Sequence, residues 1–244
     1  MRTIRIYQNT PMIVSDTMQL QGSAAHHIQH VLRLNVGMPL VLFNGDEHEY
    51  DGIIRESTKK HVLIYIENKR FRPTHSQLSI HLAQAVSKTD RMDVSLQKAV
   101  ELGVSEITPL FSDYSEHFTG ERLEKKQQHW QNIIISAAEQ CERTELPILH
   151  PAQALKKWLP QIQSPMKLLA DPDQSTIHLK QIETKPASCV ILIGAEGGFS
   201  PDEIDAAKIY AFYCWQWGRR VLRTETATMT AISLLQWEWG DFSS

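Results

Sequence analysis

The fold is decided by the stretch CVILIGAEGGFSPDEIDAA, residues 189–207. Five apolar residues run without a break from Cys189 to Ile193, as in a strand that is buried on both faces of a parallel sheet. A helix start follows, in which Ser200 is the N-cap, Pro201 takes the first helical position and Glu203 completes a capping box. A buried strand that leads through a short loop into a capped helix is the repeating unit of α/β folds.

The loop inside this stretch, Gly194–Gly198, is a candidate ligand site. Two adjacent glycines, Gly197 and Gly198, allow positive φ angles and let the backbone approach a ligand closely. In open α/β sheets, ligands bind at the carboxyl ends of the strands, which is where this loop lies. The spacing is not GxGxxG, which argues against a dinucleotide fingerprint. The alternative interpretation is a tight turn between a strand and a helix.

Outward from this stretch, strands and helices alternate from Leu78 onward. LSIHLAQAV, EITPLFS and MKLLA read as strands, and helices are predicted from about Thr89 to Gly103 and over 122–141. This rhythm predicts a parallel sheet with helices on both faces for residues 78–244. Residues 1–71 read as short strands with one helix, AAHHIQHVLRL, and therefore as a small β domain. A basic, proline-containing linker is placed at 72–77.

Composition sets limits on function. The chain has 244 residues, a net charge of −3 and three cysteines without a CxxC pair, so reduced thiols and no zinc site are expected. No apolar run approaches the roughly 18 residues of a membrane span, and no secretory signal is visible. His26 and His30 lie one helical turn apart but lack a third ligand, so no metal is predicted. A nucleic-acid partner would need a local basic patch.

A second segment, WGRRVLRTETATMTAISLLQWEWG at 217–240, ends the chain with an apolar helix. Its entry is the polar run Arg223-Thr224-Glu225-Thr226, in which Thr224 or Thr226 can act as the N-cap. Two interpretations stay open at this point. The run is either a capped, solvated helix start or a second binding loop.

Together, GAEGGFSPDEI and WGRRVLRTETA resemble the signature of the ribosomal RNA small subunit methyltransferase E family, which belongs to the SPOUT superfamily. KAVELGVSEITPL, AAEQCERTELP, HHIQHVLRLNVG and FNGDEHEY match further family segments in the same order, so the resemblance covers nearly the whole chain. The sequence departs from the family at two positions. Ala195 stands where the family usually has proline, and Trp217 precedes Gly218 where the family usually has leucine.

The resemblance implies a trefoil-knotted methyltransferase domain, an N-terminal PUA-like β-barrel domain that binds RNA, and a homodimer. It also implies S-adenosylmethionine as cofactor, held by three loops near the C-terminus. Mapped onto this sequence, the cofactor-binding residues are Leu169, Ala170, Gly194, Ala195, Glu196, Gly197, Gly198, Trp217, Gly218, Val221, Leu222 and Thr224.

The family reaction is methylation at N3 of a single uridine in 16S rRNA. Uracil N3 must lose a proton, so the reaction needs a base or a cation that stabilises the ring anion. Glu225 and Glu196 are candidate bases or orienting groups, and Arg223 and Arg143 are candidate anion stabilisers. By analogy with related enzymes, Arg143 would act across a dimer interface. Each of these residues also has a plainer explanation as a charge at a helix end or in a loop.

The expected partner is 16S rRNA in the 30S ribosomal subunit, and the expected location is the cytoplasm. Candidate phosphate contacts are Arg2, Arg5, Arg33, Lys88 and Arg91, although an ordinary surface charge explains each of them as well. Two rival functions remain open. One is a SPOUT methyltransferase that acts on a ribose 2′-hydroxyl or on another base, and the other is a non-catalytic RNA-binding protein.

Overall fold

The computed structural model describes residues 4–243, apart from the side chain of Ser23. The chain folds into two compact units, one of Met1–Thr74 with Ala138–Leu146 and one of His75–Ala137 with Pro147–Ser244. The first unit thus takes in residues 138–146, which lie far outside the predicted range 1–71. None of the helices in the described part of the chain is long and apolar enough to cross a bilayer.

The first unit is built on a five-stranded sheet with the strand order β1-β3-β4-β5-β2. Strands β1 and β3 pair in parallel, and the other pairs are antiparallel. A turn at Asn44-Gly45 joins β3 to β4, and Gly45 has a φ of +97°, which a glycine tolerates without strain. The strands are β1 (Arg5–Tyr7), β2 (Thr17–Gln21), β3 (Pro39–Phe43), β4 (His48–Ser57) and β5 (His61–Phe71).

The helix predicted as AAHHIQHVLRL differs from its prediction. Helix α1 (Gly22–His26) continues into one π-helical turn, His27–Val31, and then stops. A π turn holds more residues than the 3.6 of an α-helix, so it rotates the following side chains off the apolar face. Ile28 is buried, but Val31 is 60% exposed. Arg33 then takes a φ of +54°, which ends the helical geometry.

A buried ion-pair cluster stabilises the first unit around Glu49. This carboxylate is buried and pairs with Arg5 and Arg72. Burial raises the pKa of Glu49, but hydrogen bonds and charge from these arginines outweigh it and hold the pKa below its ordinary value. Arg5 also donates to the Arg143 carbonyl at 3.0 Å.

The second unit is built on a seven-stranded sheet in which every pair is parallel. The strand order is β12-β10-β11-β6-β7-β8, and β9 pairs with the carboxyl end of β7. The predicted α/β class with a parallel sheet is therefore confirmed. The strands are β6 (Ser79–Ala85), β7 (Glu106–Phe111), β8 (Ile148–Leu149), β9 (Gln153–Ala154), β10 (Met166–Ala170), β11 (Ser188–Ile193) and β12 (Tyr213–Trp215).

Both faces of this sheet are covered, which explains the unbroken apolar strands. On one face, Leu169 and Leu192 pack with Trp158, whereas the alternate strand residues Leu168 and Ile191 are equally buried on the other. Helix α2 packs against α6, and α4 contacts α5. The helices are α2 (Thr89–Glu101), α3 (Gly120–Cys141), α4 (Leu155–Trp158), α5 (Pro201–Ile209) and α6 (Thr224–Glu238).

Candidate functional site

A cavity of about 420 Å³ lies at the carboxyl ends of β10, β11 and β12. Three loops line it: the turn after β10, the glycine loop between β11 and α5, and the segment between β12 and α6. The site falls where open α/β sheets bind ligands, because the loops that leave parallel strands at this edge converge. The lining includes Ala170–Asp173, Gly194–Phe199, Trp215–Gly218 and Arg220–Thr224, together with Arg91.

The glycine loop presents its main chain to the cavity at Gly194 and Gly197, because neither position has room for a side chain. A Cβ on Gly194 would lie 2.9 Å from the Gly198 Cα, and one on Gly197 would lie 2.9 Å from the Tyr114 Cβ. The turn is closed by the Gly198 amide, which donates to the Ala195 carbonyl at 3.0 Å. Gly198 itself has a φ of +69°. The wall of the cavity is thus a tight turn that larger residues would distort.

The capping box predicted at the start of α5 is confirmed. The Ser200 hydroxyl accepts from the Glu203 amide, and the Glu203 carboxylate accepts from the Ser200 amide at 3.0 Å. The same carboxylate, which is 1% exposed, also accepts from the Asp113 amide at 2.8 Å. Ser200 donates to Asp113 Oδ2 at 2.6 Å. This helix start therefore ties the glycine loop to the segment after β7.

A buried hydrogen-bond network ties the glycine loop to helix α6. Thr224 Oγ1 donates to the Gly194 carbonyl at 2.7 Å and accepts from Gln84 Nε2 at 3.1 Å. Thr228 Oγ1 donates to Gln84 Oε1 at 2.7 Å. The prediction that Thr224 or Thr226 caps α6 is wrong, because Arg223 takes the N-cap position and no side chain caps it. Thr224 instead joins two walls of the cavity.

Charged groups lie at the rim of the cavity. Arg91, Arg220 and Arg223 belong to its lining. Arg91 pairs with Glu196 at 3.2 Å, and Glu196 also accepts from the Lys88 amide at 3.2 Å. The Arg91 guanidinium and the Lys88 backbone amide thus hold Glu196 in place. The carboxylates of Glu196, Asp171 and Asp173 in the lining balance the three guanidinium charges.

Most of the predicted cofactor residues come together in this cavity. All twelve line it except Leu169, whose side chain is 1% exposed and packs in the core below. Successive side chains along β10 point to opposite faces of the sheet, so Ala170 reaches the cavity and Leu169 does not. Trp217 packs against Trp215 with ring centroids 4.6 Å apart, so the bulky residue at this position forms part of an aromatic wall.

The predicted catalytic residues are divided. Glu196 and Arg223 line the cavity. Glu225 follows in the first turn of α6, outside the lining, and its Oε2 atom is buried without a hydrogen-bond partner among the described residues. Arg143 belongs to the first unit and is 7% exposed.

The predicted phosphate contacts also differ in their surroundings. Arg33 and Lys88 are exposed, and Arg91 lies at the cavity rim. Arg5 is buried in its pair with Glu49, so its placement does not support a phosphate contact. Arg2 lies outside the described residues.

The sequence interpretation missed several lining residues, of which Asp171 is the most informative. It is 4% exposed, and its Oδ1 accepts from the Asp173 and Gln174 amides. Its Oδ2 is buried and has no hydrogen-bond partner among the described residues. The available signal was a carboxylate placed directly after the buried strand MKLLA. Arg220 and Trp215 were missed as well, and only the loop conformation brings them to the cavity.

Comparisons with known proteins agree with this geometry. Residues 74–236 match the RNA methyltransferase domain family, and residues 20–67 match the RNA methyltransferase PUA domain family. The ribosomal RNA small subunit methyltransferase E of Buchnera aphidicola (Schizaphis graminum) is 36% identical over 245 residues, which cover 99% of both chains.

Two solved structures are similar over the whole chain. Lpg2936 of Legionella pneumophila, solved with the cofactor SAM bound, superposes with a TM-score of 0.94 at 38% identity, over 99% of this chain and 100% of the other. The ribosomal RNA small subunit methyltransferase E of Neisseria gonorrhoeae, bound to S-adenosyl methionine, gives 0.93 at 32% identity with the same coverage. The chain therefore belongs to the ribosomal RNA small subunit methyltransferase E family.

Proposed function

We propose that this protein transfers a methyl group from S-adenosylmethionine to N3 of a single uridine in 16S rRNA. The observation that carries the proposal is the cavity at the ends of β10, β11 and β12, which joins a main-chain wall to three arginines. The names of its relatives and the cofactor bound in two similar structures support the same function.

The residues of the cavity fit S-adenosylmethionine. Its volume of about 420 Å³ lies in the range of small-molecule sites. The glycine loop offers main-chain groups to a nucleobase, and Val221 and Leu222 offer apolar contacts. The unpartnered Oδ2 of Asp171 is an acceptor for an ammonium or a ribose hydroxyl. When bound, the cofactor would supply an electrophilic methyl group on its sulfonium.

The side chains around the cavity suit a reaction that removes a proton from uracil N3. Arg223, an exposed residue at the rim of the cavity, would stabilise the ring anion with its guanidinium charge. Glu225 lies outside the lining, in the first turn of α6 beside Arg223 and Thr224. It is the candidate base, because its Oε2 lacks a partner among the described residues. Glu196 would orient the loops through Arg91 rather than act as a base.

We further propose that the active form is a cytoplasmic homodimer with a trefoil knot in residues 78–244, and that Arg143 of one copy acts in the site of the other. Turnover of Arg143→Ala tests this role. A rate near that of the wild type would refute it.

We propose that the first unit, with its PUA domain match, binds the rRNA of the 30S subunit. Exposed Arg33 in this unit would contact a phosphate, and so would exposed Lys88 in the second unit. Each lost phosphate contact flattens the dependence of log K on log salt by about one unit. A double Arg33→Ala, Lys88→Ala variant with an unchanged salt slope would contradict these contacts.

The decisive experiment is methyl transfer to small subunits from a strain that lacks this methyltransferase, followed by nucleoside mass spectrometry. We expect one N3-methyluridine per subunit. A 2′-O-methylated nucleoside or another methylated base would exclude the proposed product. If S-adenosylmethionine gave no calorimetric heat and no product formed, the protein would be a non-catalytic RNA-binding protein.

A matched pair of variants tests the role of the cavity arginine. We expect Arg223→Ala to lower kcat/KM by about 10²–10³-fold, as loss of one preorganised donor does elsewhere. Arg219 is exposed in the same loop and does not line the cavity, so Arg219→Ala should stay close to the wild type. Equal losses in both variants would show that the effect is not specific to the cavity.

A further inference from the structure

A cluster of two histidines and one glutamate lies near the amino ends of the central strands, away from the cavity. His81 in β6 stands opposite Glu106 in β7, and His150 follows the edge strand β8. Their ligand atoms all lie within 4.8 Å of one another. Residues distant in sequence meet here because three parallel strands are in register.

Neighbouring groups fix the orientation of these side chains. His81 Nε2 lies 2.7 Å from Thr108 Oγ1, which leaves Nδ1 to face Glu106 Oε2 at 4.0 Å. His150 Nε2 lies 2.7 Å from the same oxygen. Trp158 meets the His81 ring edge-on at 5.9 Å and closes one side of the cluster. A metal-binding histidine ordinarily has its second nitrogen held in this way.

The three side chains leave room for a fourth ligand. His81 is 14% exposed, whereas Glu106 and His150 are 36% and 34% exposed. Zinc binds imidazole nitrogens at about 2.0–2.1 Å in tetrahedral sites, which places ligand atoms roughly 3.3 Å apart. The observed separations of 2.7 and 4.0 Å lie on either side of that value. Shifts of about 1 Å would therefore admit an ion, with water as the outer ligand.

We propose that His81, Glu106 and His150 bind a divalent transition-metal ion of the zinc class. Two imidazoles and one carboxylate suit Zn²⁺ or Co²⁺, whereas Mg²⁺ prefers oxygen ligands. The ion tethers the short edge strand β8 to β6 and β7. Its role is structural, because the cavity lies at the opposite end of the parallel sheet, beyond the carboxyl ends of β10, β11 and β12.

Calorimetry with ZnCl₂ on EDTA-treated full-length protein tests the proposal. We expect one site whose Zn²⁺ affinity falls at least about tenfold in both His150→Gln and Glu106→Gln. The matched control is His30→Gln, because His30 is an exposed histidine whose ring lies 4.6 Å from that of His26, in a tilted arrangement. This variant should bind Zn²⁺ like the wild type, and MgCl₂ should give no heat.

Cobalt provides a second readout that does not depend on stability. Co²⁺ held by His81, Glu106, His150 and water should give the visible absorption of a tetrahedral site, and both ligand variants should lose it. Circular dichroism spectra that match the wild type show that the variants are folded. The proposal would be overturned if folded His150→Gln kept the zinc affinity and cobalt absorption of the wild type. It would also be overturned if only His30→Gln lost them.

Discussion

Replacing Thr224 by valine should weaken both the fold and the cofactor site. Valine keeps the shape of threonine but removes Oγ1, which donates to the Gly194 carbonyl and accepts from Gln84 Nε2. Thr224 is 4% exposed and Gln84 is fully buried, so water cannot replace these hydrogen bonds. In the variant, the Gln84 side-chain amide can still donate to the Ala85 carbonyl at 3.2 Å. The Gly194 carbonyl is left with a long contact to the same amide, at 3.5 Å.

The magnitude follows from these contacts. Two hydrogen bonds contribute about 0.5–1.5 kcal/mol each, so the pair contributes about 1–3 kcal/mol. We therefore expect the free energy of unfolding of Thr224→Val to fall by about 2 kcal/mol. The glycine loop loses its anchor to α6, so we also expect the Kd for S-adenosylmethionine to rise about tenfold, which corresponds to about 1.4 kcal/mol.

Urea denaturation followed by tryptophan fluorescence, together with calorimetry, measures both effects. Thr226→Val is the matched control, because Thr226 is half-buried in the same helical turn and lies outside this network. A Thr224→Val variant that matched the control in stability and affinity would refute the reasoning, since the network would then contribute nothing.

Three further predictions concern stability and reactivity. Glu203→Gln should lower the free energy of unfolding by about 1–2 kcal/mol, because the buried charged acceptor of two backbone amides is lost. Asp202→Asn, at the exposed neighbouring position, should change little in the same urea assay. The pKa of Glu49 in the folded protein lies below the ordinary value of a glutamate despite burial. The ionised carboxylate therefore contributes fully to stability above the ordinary pKa, and this contribution is lost as pH falls through the folded pKa. The difference in free energy of unfolding between wild type and Glu49→Gln should shrink between pH 6 and pH 3, and a constant difference would contradict this. Burial raises the pKa of Cys189 to about 12, so iodoacetamide at pH 8 should label half-buried Cys141 and spare Cys189 in the native protein, as mass-spectrometric mapping would show.

The glycine loop illustrates how much the sequence determines locally. The unbroken apolar strand, the glycines and the Ser200–Glu203 box predicted a strand, a tight turn and a capped helix, and each lies where expected. These features depend on neighbours within a few residues, so the local sequence is sufficient to determine them. The local pattern predicted only that the glycine loop could bind a ligand, whereas the individual cofactor residues came from the family resemblance.

Local patterns failed where the chain departs from regular geometry or where distant segments compete for the same group. The π turn at His27–Val31 exposes Val31, although a regular helix would bury it. Thr224 was predicted as a cap, but a carbonyl thirty positions earlier in the chain takes its hydroxyl. Capping and tertiary hydrogen bonding use the same oxygen, and only the packed structure decides between them.

The sequence by itself determined the alternation of buried strands and helices, the parallel sheet and the loops that approach a ligand, because hydrophobic periodicity and turn chemistry are short-range. The tertiary structure alone decided which side chains meet. Asp171 and Arg220 reach the cavity, Arg5 turns inward to Glu49, and His81 joins Glu106 through the register of parallel strands. These contacts depend on strand order and register, which are set by the packing of the whole sheet and not by any single segment.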